Sequence, residues 1–229
     1  LIIGQSNTHY GIGYDSVLDA PDSRIYQLGR HFTRNLEVIL AEEPLDHHTI
    51  QSQKIGFGLA FAKEYIEDYP SKEVLIIPCG YGGTGFIDNR WNRGDDLYND
   101  AVDRVNFVLE KYPGSQIKVI LWHQGEQDAI HKNHNYQTSL DKFINDIRLD
   151  LHSDSVPFLL GGMVPYWVGD DLNRLSFQII ISETPSRLYN TGYADPSIPF
   201  LIVKEDNNYD EIHYDANGQR ELGQRYYQQ

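Results

Sequence analysis

Short apolar runs recur along this chain, and longer segments with helical spacing separate them. "LIIG" opens the sequence, and "RIYQLG" is a short extended piece. "EVLIIPCG", "IKVILWHQG" and "PFLLGGMVP" follow, and "PFLIVK" reads as the last of the series. Between them, "QSQKIGFGLAFAKEYIEDYP" places Leu59, Phe61, Ala62, Tyr65 and Ile66 at helical intervals and ends at Pro70. "DDLYNDAVDRVNFVLEKYPG" lines up Leu97, Ala101, Val105, Val108 and Leu109 on one side and stops at Pro113-Gly114. "YQTSLDKFINDIRLDL", "LNRLSFQIIIS" and "DANGQRELGQRYYQ" read as further helices, the last with Asp215 as its N-cap. A continuous apolar run of strand length suits a strand covered on both faces. Strands of that kind alternating with helices predict an α/β fold with a mainly parallel central sheet between helices.

In such sheets ligands bind beyond the carboxyl ends of the strands. The segments to search are therefore Gln5-Ser6-Asn7, Gly80 to Gly85, His123 to Asp128, Gly161 to Pro165 and the stretch after Lys204. The chain of 229 residues shows no internal repeat or low-complexity tract and reads as a single domain over 1–229. A net charge of −14 argues against a nucleic-acid or anionic-membrane surface, which needs clustered Lys and Arg. No apolar run reaches the roughly 18 residues of a membrane span. The one cysteine, Cys79, rules out an intrachain disulfide. Because the chain starts inside an apolar strand, its N-terminus reads as truncated, and a signal peptide and the compartment stay open.

Ser6 follows the first strand, where its hydroxyl can face the crevice; taken alone, it reads better as a helix N-cap. "NNYDEIHYDANG" sets Asp210 three residues before His213. On a tight turn that spacing lets the carboxylate accept from Nδ1–H and leaves Nε2 to act as a base toward a serine. "CGYGGTGF" offers closely approaching backbone N–H groups, and "WHQGEQD" sets Gln124, an uncharged amide donor, past its strand. Such donors can receive the negative charge that develops on a carbonyl oxygen under attack.

Four stretches in this order resemble the SGNH (GDSL-type) hydrolase superfamily, and within it the sialate O-acetylesterase and acetylxylan esterase branch, carbohydrate esterase family six. They are "GQSN", "PCGYGGTGFIDNRW", "WHQGEQD" and "DEIHYDANGQRELGQRYY"; "GFGLAFAKEY" resembles the helix that precedes the second block. The resemblance implies a three-layer αβα sandwich of flavodoxin-like type. It also implies a serine esterase that removes O-acetyl groups from carbohydrate, acetylxylan or O-acetylated sialic acid, without metal or organic cofactor. Ser6 would be the nucleophile, His213 the base and Asp210 its orienting partner. The oxyanion hole would comprise the N–H groups of Ser6 and Gly83 and the Gln124 side chain. Gly83 is taken over Gly82 because it precedes Thr84. Glu126 and Asp128 are expected to brace loops.

Two other readings remain open: an esterase for lipid or aryl esters on the same fold, and a glycan-binding module without catalysis. His123, Glu126, Asp128, His131 and His134 lie close enough in sequence to raise zinc, but no H-E-x-x-H helix supports it. His47-His48 read as solvated loop residues. Trp91, Trp167 and Tyr166 fit sugar stacking or core and rim packing equally well. The oligomeric state is not readable from the sequence.

Overall fold

The computed structural model describes residues 1–204 and 210–229. In chain order the strands are β1 (Ile2–Gly4), β2 (Gly11–Ile12), β3 (Ile25–Leu28), β4 (Val38–Leu40) and β5 (Lys54–Ile55). They continue with β6 (Val74–Ile76), β7 (Ile120–His123), β8 (Phe158–Gly161) and β9 (Thr191–Ala194). The helices are α1 (Gly58–Asp68), α2 (Asp96–Lys111), α3 (Glu126–Ile130), α4 (Tyr136–Asp150), α5 (Pro165–Val168), α6 (Leu172–Ser182), α7 (Thr184–Arg187) and α8 (Ala216–Tyr227).

Strands β1, β7, β8 and β9 form a parallel sheet in that order, with Ile3 opposite Trp122 and Leu121 opposite Leu159. A second sheet, β4-β3-β6, has β3 parallel to β6 and antiparallel to β4. The two join where the chain beyond β6 runs alongside β1. Ile2 N donates to Ile77 O at 3.0 Å, Cys79 N to Ile2 O at 2.8 Å, and Tyr81 N to Gly4 O at 3.0 Å. The combined order is β4-β3-β6-β1-β7-β8-β9. The chain lays β3 and β6 on one side of β1 and then crosses to β7 on the other. β1 therefore ends at the topological switch point, where an α/β sheet opens a crevice.

The expected three layers follow from side-chain alternation. Leu121 and Leu159 point toward α1, which packs on α8. Trp122 and Phe158 point to the opposite face, where Phe143 of α4 meets Trp122 with ring centroids 4.7 Å apart. Trp91 and Phe86 complete that aromatic cluster. Fully burying one such side chain contributes about 1.5–3 kcal/mol, so Phe143→Ala is a costly change here.

The last strand differs from the sequence expectation. "PFLIVK" forms no strand; Phe200, Leu201 and Val203 are exposed and only Ile202 is buried. The sheet instead closes with β9, "TGYA", whose mixed polar and small residues gave no apolar signal. Similarly, Lys54–Ile55 pair with Gly11–Ile12 as a small antiparallel ribbon rather than leading into α1. α8 begins as expected: Asp215 Oδ1 accepts from Gly218 N at 2.8 Å. Among the described residues no helix is long and apolar enough to cross a membrane.

Candidate active site

β1 stops at Gly4, whose φ of +126° suits glycine, and an added Cβ would lie 2.1 Å from His123 O. Gln5 N still reaches His123 O at 2.8 Å, and Ser6–Thr8 then form one short 3₁₀ turn. Ser6 caps no helix. Its Oγ instead lies 2.8 Å from His213 Nε2, across 207 residues of sequence.

His213 is held from several directions. Its Nδ1 lies 2.8 and 2.9 Å from the two Asp210 oxygens, and its own N–H donates to Asp210 Oδ1 at 3.2 Å. An Asp carboxylate accepts only, so His213 Nδ1 carries the proton and Nε2 is left to accept from Ser6. Burial raises the Asp210 pKa, but hydrogen bonds from His213 outweigh it and hold the carboxyl below its ordinary range. Tyr10 lies against the His213 ring at 4.9 Å, and Tyr166 Oη donates to His213 O at 2.6 Å. Lys204 Nζ donates to Asp210 O. Residues 205–209, the first part of the expected stretch after Lys204, lie outside the described residues.

In the glycine loop, a Cβ on Gly82 would lie 3.5 Å from Ser6 Cβ, while Gly83 has φ +68° and nothing stands within 4 Å of where its Cβ would be. Gln124 lies deeper than expected. Its Nε2 donates to Asp128 Oδ2 at 2.7 Å and stands 3.3 Å from both Gln5 Oε1 and Thr84 O. All three neighbours are oxygens, so the amide orientation is fixed by chemistry. One N–H is taken by Asp128; the other is held weakly.

Asp128 braces the glycine loop. Its carboxylate accepts from Phe86 N at 3.0 Å, Ile87 N at 2.9 Å and Asn133 Nδ2 at 2.6 Å, besides Gln124. Burial nonetheless pushes its pKa up. Glu126 is fully buried and accepts from Asn7 Nδ2 at 2.6 Å. Both acidic residues thus brace loops, as the sequence implied.

Other candidates fall elsewhere. Trp91 is fully buried and donates from Nε1 to Thr84 Oγ1 at 2.9 Å, so it supports the glycine loop and presents no face to a sugar. Trp167 is buried beneath Arg174, whereas Tyr166 stands half-exposed at the rim. His123 is buried while His131 and His134 are exposed, so these histidines do not converge on a metal position. His47 is not solvated: it is fully buried, accepts from Gly80 N at 2.9 Å and stacks on His9. Sequence reasoning assigned Asn7 no role of its own within Gln5-Ser6-Asn7 and did not single out His9 or Tyr10. All three lie within four residues after Ser6, and proximity to that turn was the available signal.

Comparisons with known proteins bear on the family and the fold. A family model described as "Carbohydrate esterase, sialic acid-specific acetylesterase" matches residues 1–229. A "Probable carbohydrate esterase" of Arabidopsis thaliana is 35% identical over 148 residues, 61% of this chain and 53% of that protein. The chain thus spans about half the length of that relative. A "Probable 9-O-acetyl-N-acetylneuraminic acid deacetylase" of Escherichia coli is 27% identical over 221 residues, 72% of this chain and 67% of that protein. The crystal structure of NanS superposes with a TM-score of 0.84 at 20% identity, covering 99% of this chain and 95% of that one, which shows the shared fold. With its whole length matched by the family model, the chain belongs to the sialic acid-specific acetylesterase family of carbohydrate esterases.

Proposed function

We propose that this protein removes O-acetyl groups from carbohydrate through a Ser6, His213 and Asp210 triad. The observation that carries the reading is the 2.8 Å contact between Ser6 Oγ and His213 Nε2, with Asp210 on the other ring nitrogen. Family membership and the relatives' names support an acetylated sugar as substrate.

In this mechanism Ser6 Oγ attacks the acetyl carbonyl carbon while its proton passes to His213 Nε2. The carbonyl oxygen becomes an oxyanion and takes hydrogen bonds from the N–H groups of Ser6 and Gly83, with the second N–H of Gln124 as the third donor. Collapse breaks the bond to the sugar oxygen, which leaves with the proton from Nε2. Water then gives one proton to Nε2 and attacks the acetyl-Ser6 carbonyl carbon; collapse breaks the bond to Ser6 Oγ, which takes the proton back from Nε2 as acetate leaves. Asp210 keeps the imidazole in the required tautomer and offsets its transient positive charge. Tyr166, half-exposed and bonded to His213 O, offers ring surface beside the site for a sugar.

The test measures acetate release from O-acetylated sialic acid, acetylxylan and p-nitrophenyl acetate by wild type and Ser6→Ala. Acetate release from a sugar substrate that disappears in Ser6→Ala is the expected result. Wild-type rates in Ser6→Ala would end the proposal. Turnover of the aryl ester alone would favour an esterase of another class.

A further inference from the structure

Asn7 directly follows the nucleophile and is fully buried, and its side-chain amide makes three hydrogen bonds. Nδ2 donates to Ile212 O at 2.9 Å and to Glu126 Oε1 at 2.6 Å; Oδ1 accepts from Tyr214 N at 3.1 Å. Ile212 and Tyr214 are the two neighbours of His213. The amide therefore ties down the backbone on both sides of the general base. Its own backbone is fixed in turn, because Gln219 Nε2 donates to Asn7 O at 2.9 Å.

Glu126 decides which way this amide points. If the Asn7 amide were reversed, its oxygen would face the Glu126 carboxylate and the Ile212 carbonyl, and its NH₂ would face the Tyr214 N–H. Every contact would be repulsive. A carboxylate with no solvent exposure is costly to keep, typically by several kcal/mol. Among the described residues, its one side-chain hydrogen bond is to Asn7, and His123 Nε2 stands beyond hydrogen-bond range at 3.7 Å. The carboxylate thus acts on two buried side chains, His123 by charge and Asn7 by a direct hydrogen bond.

We propose that Asn7, oriented by Glu126, is a positioning residue that holds the peptide groups flanking His213 and so sets the Ser6–His213 distance. The dipeptide Ser6-Asn7 would then supply the nucleophile and hold its base with adjacent side chains. This inference rests on the assignment of Ser6 and His213 above. It concerns placement alone, since the Asn7 amide is already occupied and touches no reacting atom.

Because a displacement near 1 Å at a reacting pair can cost on the order of 10²-fold in rate, Asn7→Ala is expected to lower kcat by about that factor. KM for the acetylated sugar should stay within about threefold of wild type, because no substrate contact is lost. Fluorophosphonate labelling of Ser6 should slow in parallel. Glu126→Gln keeps an acceptor of the same shape for Asn7 and should retain kcat within about tenfold of wild type. Glu126→Ala should fall toward the Asn7→Ala value. A kcat in Asn7→Ala within about threefold of wild type, or a loss carried by KM, would overturn the proposal. Should Asn7→Ala fail to fold, the Glu126 pair decides: equal impairment of Gln and Ala variants would also overturn it. Failure of the underlying assignment looks different, because wild-type Ser6 would then resist the fluorophosphonate.

Discussion

Ser6 stands on backbone that continues the sheet, whereas His213 hangs on a loop that the sheet does not reach. On the nucleophile side, Gln5 N and Tyr81 N extend the ladders of β1, and the glycine loop is pinned by the four donors that converge on Asp128. On the base side, Asp210 to Tyr214 are held by two hydrogen bonds from Asn7 and by one contact each from Tyr10, Tyr166 and Lys204. Tyr214 Oη adds one more by donating to Gly162 O at 2.8 Å. Just upstream, Phe200, Leu201 and Val203 are exposed. A ladder distributes strain over many bonds, while a set of separate clamps can be released one at a time. The nucleophile side is therefore expected to answer mutation in stability, and the base side in rate.

The largest effects test whether the two sides act as one unit. Ser6→Ala and His213→Ala should each lower kcat by at least about 10⁴-fold, and combining them should add little, because members of a triad are not additive. Asp210→Asn should cost up to about 10⁴-fold by favouring the wrong imidazole tautomer. Steady-state kinetics on the single and double variants reads this directly. Multiplicative losses would mean that the two residues serve separate steps.

Next comes the brace on the nucleophile side. Asp128→Ala leaves Phe86 N, Ile87 N, Gln124 Nε2 and Asn133 Nδ2 without their acceptor. Buried donors stripped of a charged partner typically cost about 3–5 kcal/mol together. Urea unfolding should show that loss, and a fall below about 1 kcal/mol would show that the loop re-pairs without the carboxylate.

The same contrast explains what the sequence revealed. Strands buried on both faces, such as "IKVILWHQG", announce themselves by unbroken apolar runs, and their order predicted the layers and the crevice. The meeting of Ser6 with the Asp210–His213 pair was readable because the proposed chemistry calls for those residue types at those strand ends. β9 was not: an edge strand of Thr, Gly, Tyr and Ala carries no apolar pattern, and the exposed "PFLIVK" imitates one. Asn7 receives no role from the sequence, and His47 reads there as solvated, because burial and partners decide their roles, and residue type does not disclose either. Trp91 stayed ambiguous for the same reason, as an aromatic beside a glycine loop can face the core or the crevice, and here it faces the core.

His9 offers a subtler probe of the nucleophile side. Thr8 Oγ1 donates to Gln5 O, so it accepts from His9 Nδ1–H, and His9 Nε2 is left to accept from Thr49 Oγ1. The ring stacks on His47 with centroids 4.6 Å apart. Burial, followed by the nearby His213, His48 and Lys54, pushes the His9 pKa from 6.5 down to about 3. The unfolded chain therefore binds a proton between those values that the folded chain refuses, and stability declines as pH falls through that window. At pH 5 this amounts to about 2 kcal/mol relative to pH 7. A His9→Gln variant lacks the effect, so its stability should approach or overtake that of wild type on acidification. Parallel pH profiles from urea titrations would remove His9 from the account.

The smallest expected effect isolates one clamp on the base side. Tyr166 Oη donates to His213 O at 2.6 Å and is partly exposed, so Tyr166→Phe removes a single hydrogen bond and keeps the ring. The change should cost about 1 kcal/mol or less in stability, since water can replace the lost donor at an exposed carbonyl. Burial holds the Tyr166 hydroxyl above its usual pKa, so it remains a donor through the working pH range, and the effect should not vary with pH below 9. If separate clamps place the base, kcat should drop by about two- to tenfold while the unfolding midpoint barely moves. A loss of stability without any change in kcat would invert the contrast between the two sides. It would make the loop around His213 a part of the folded framework, with placement of the imidazole left to Asp210 and Asn7.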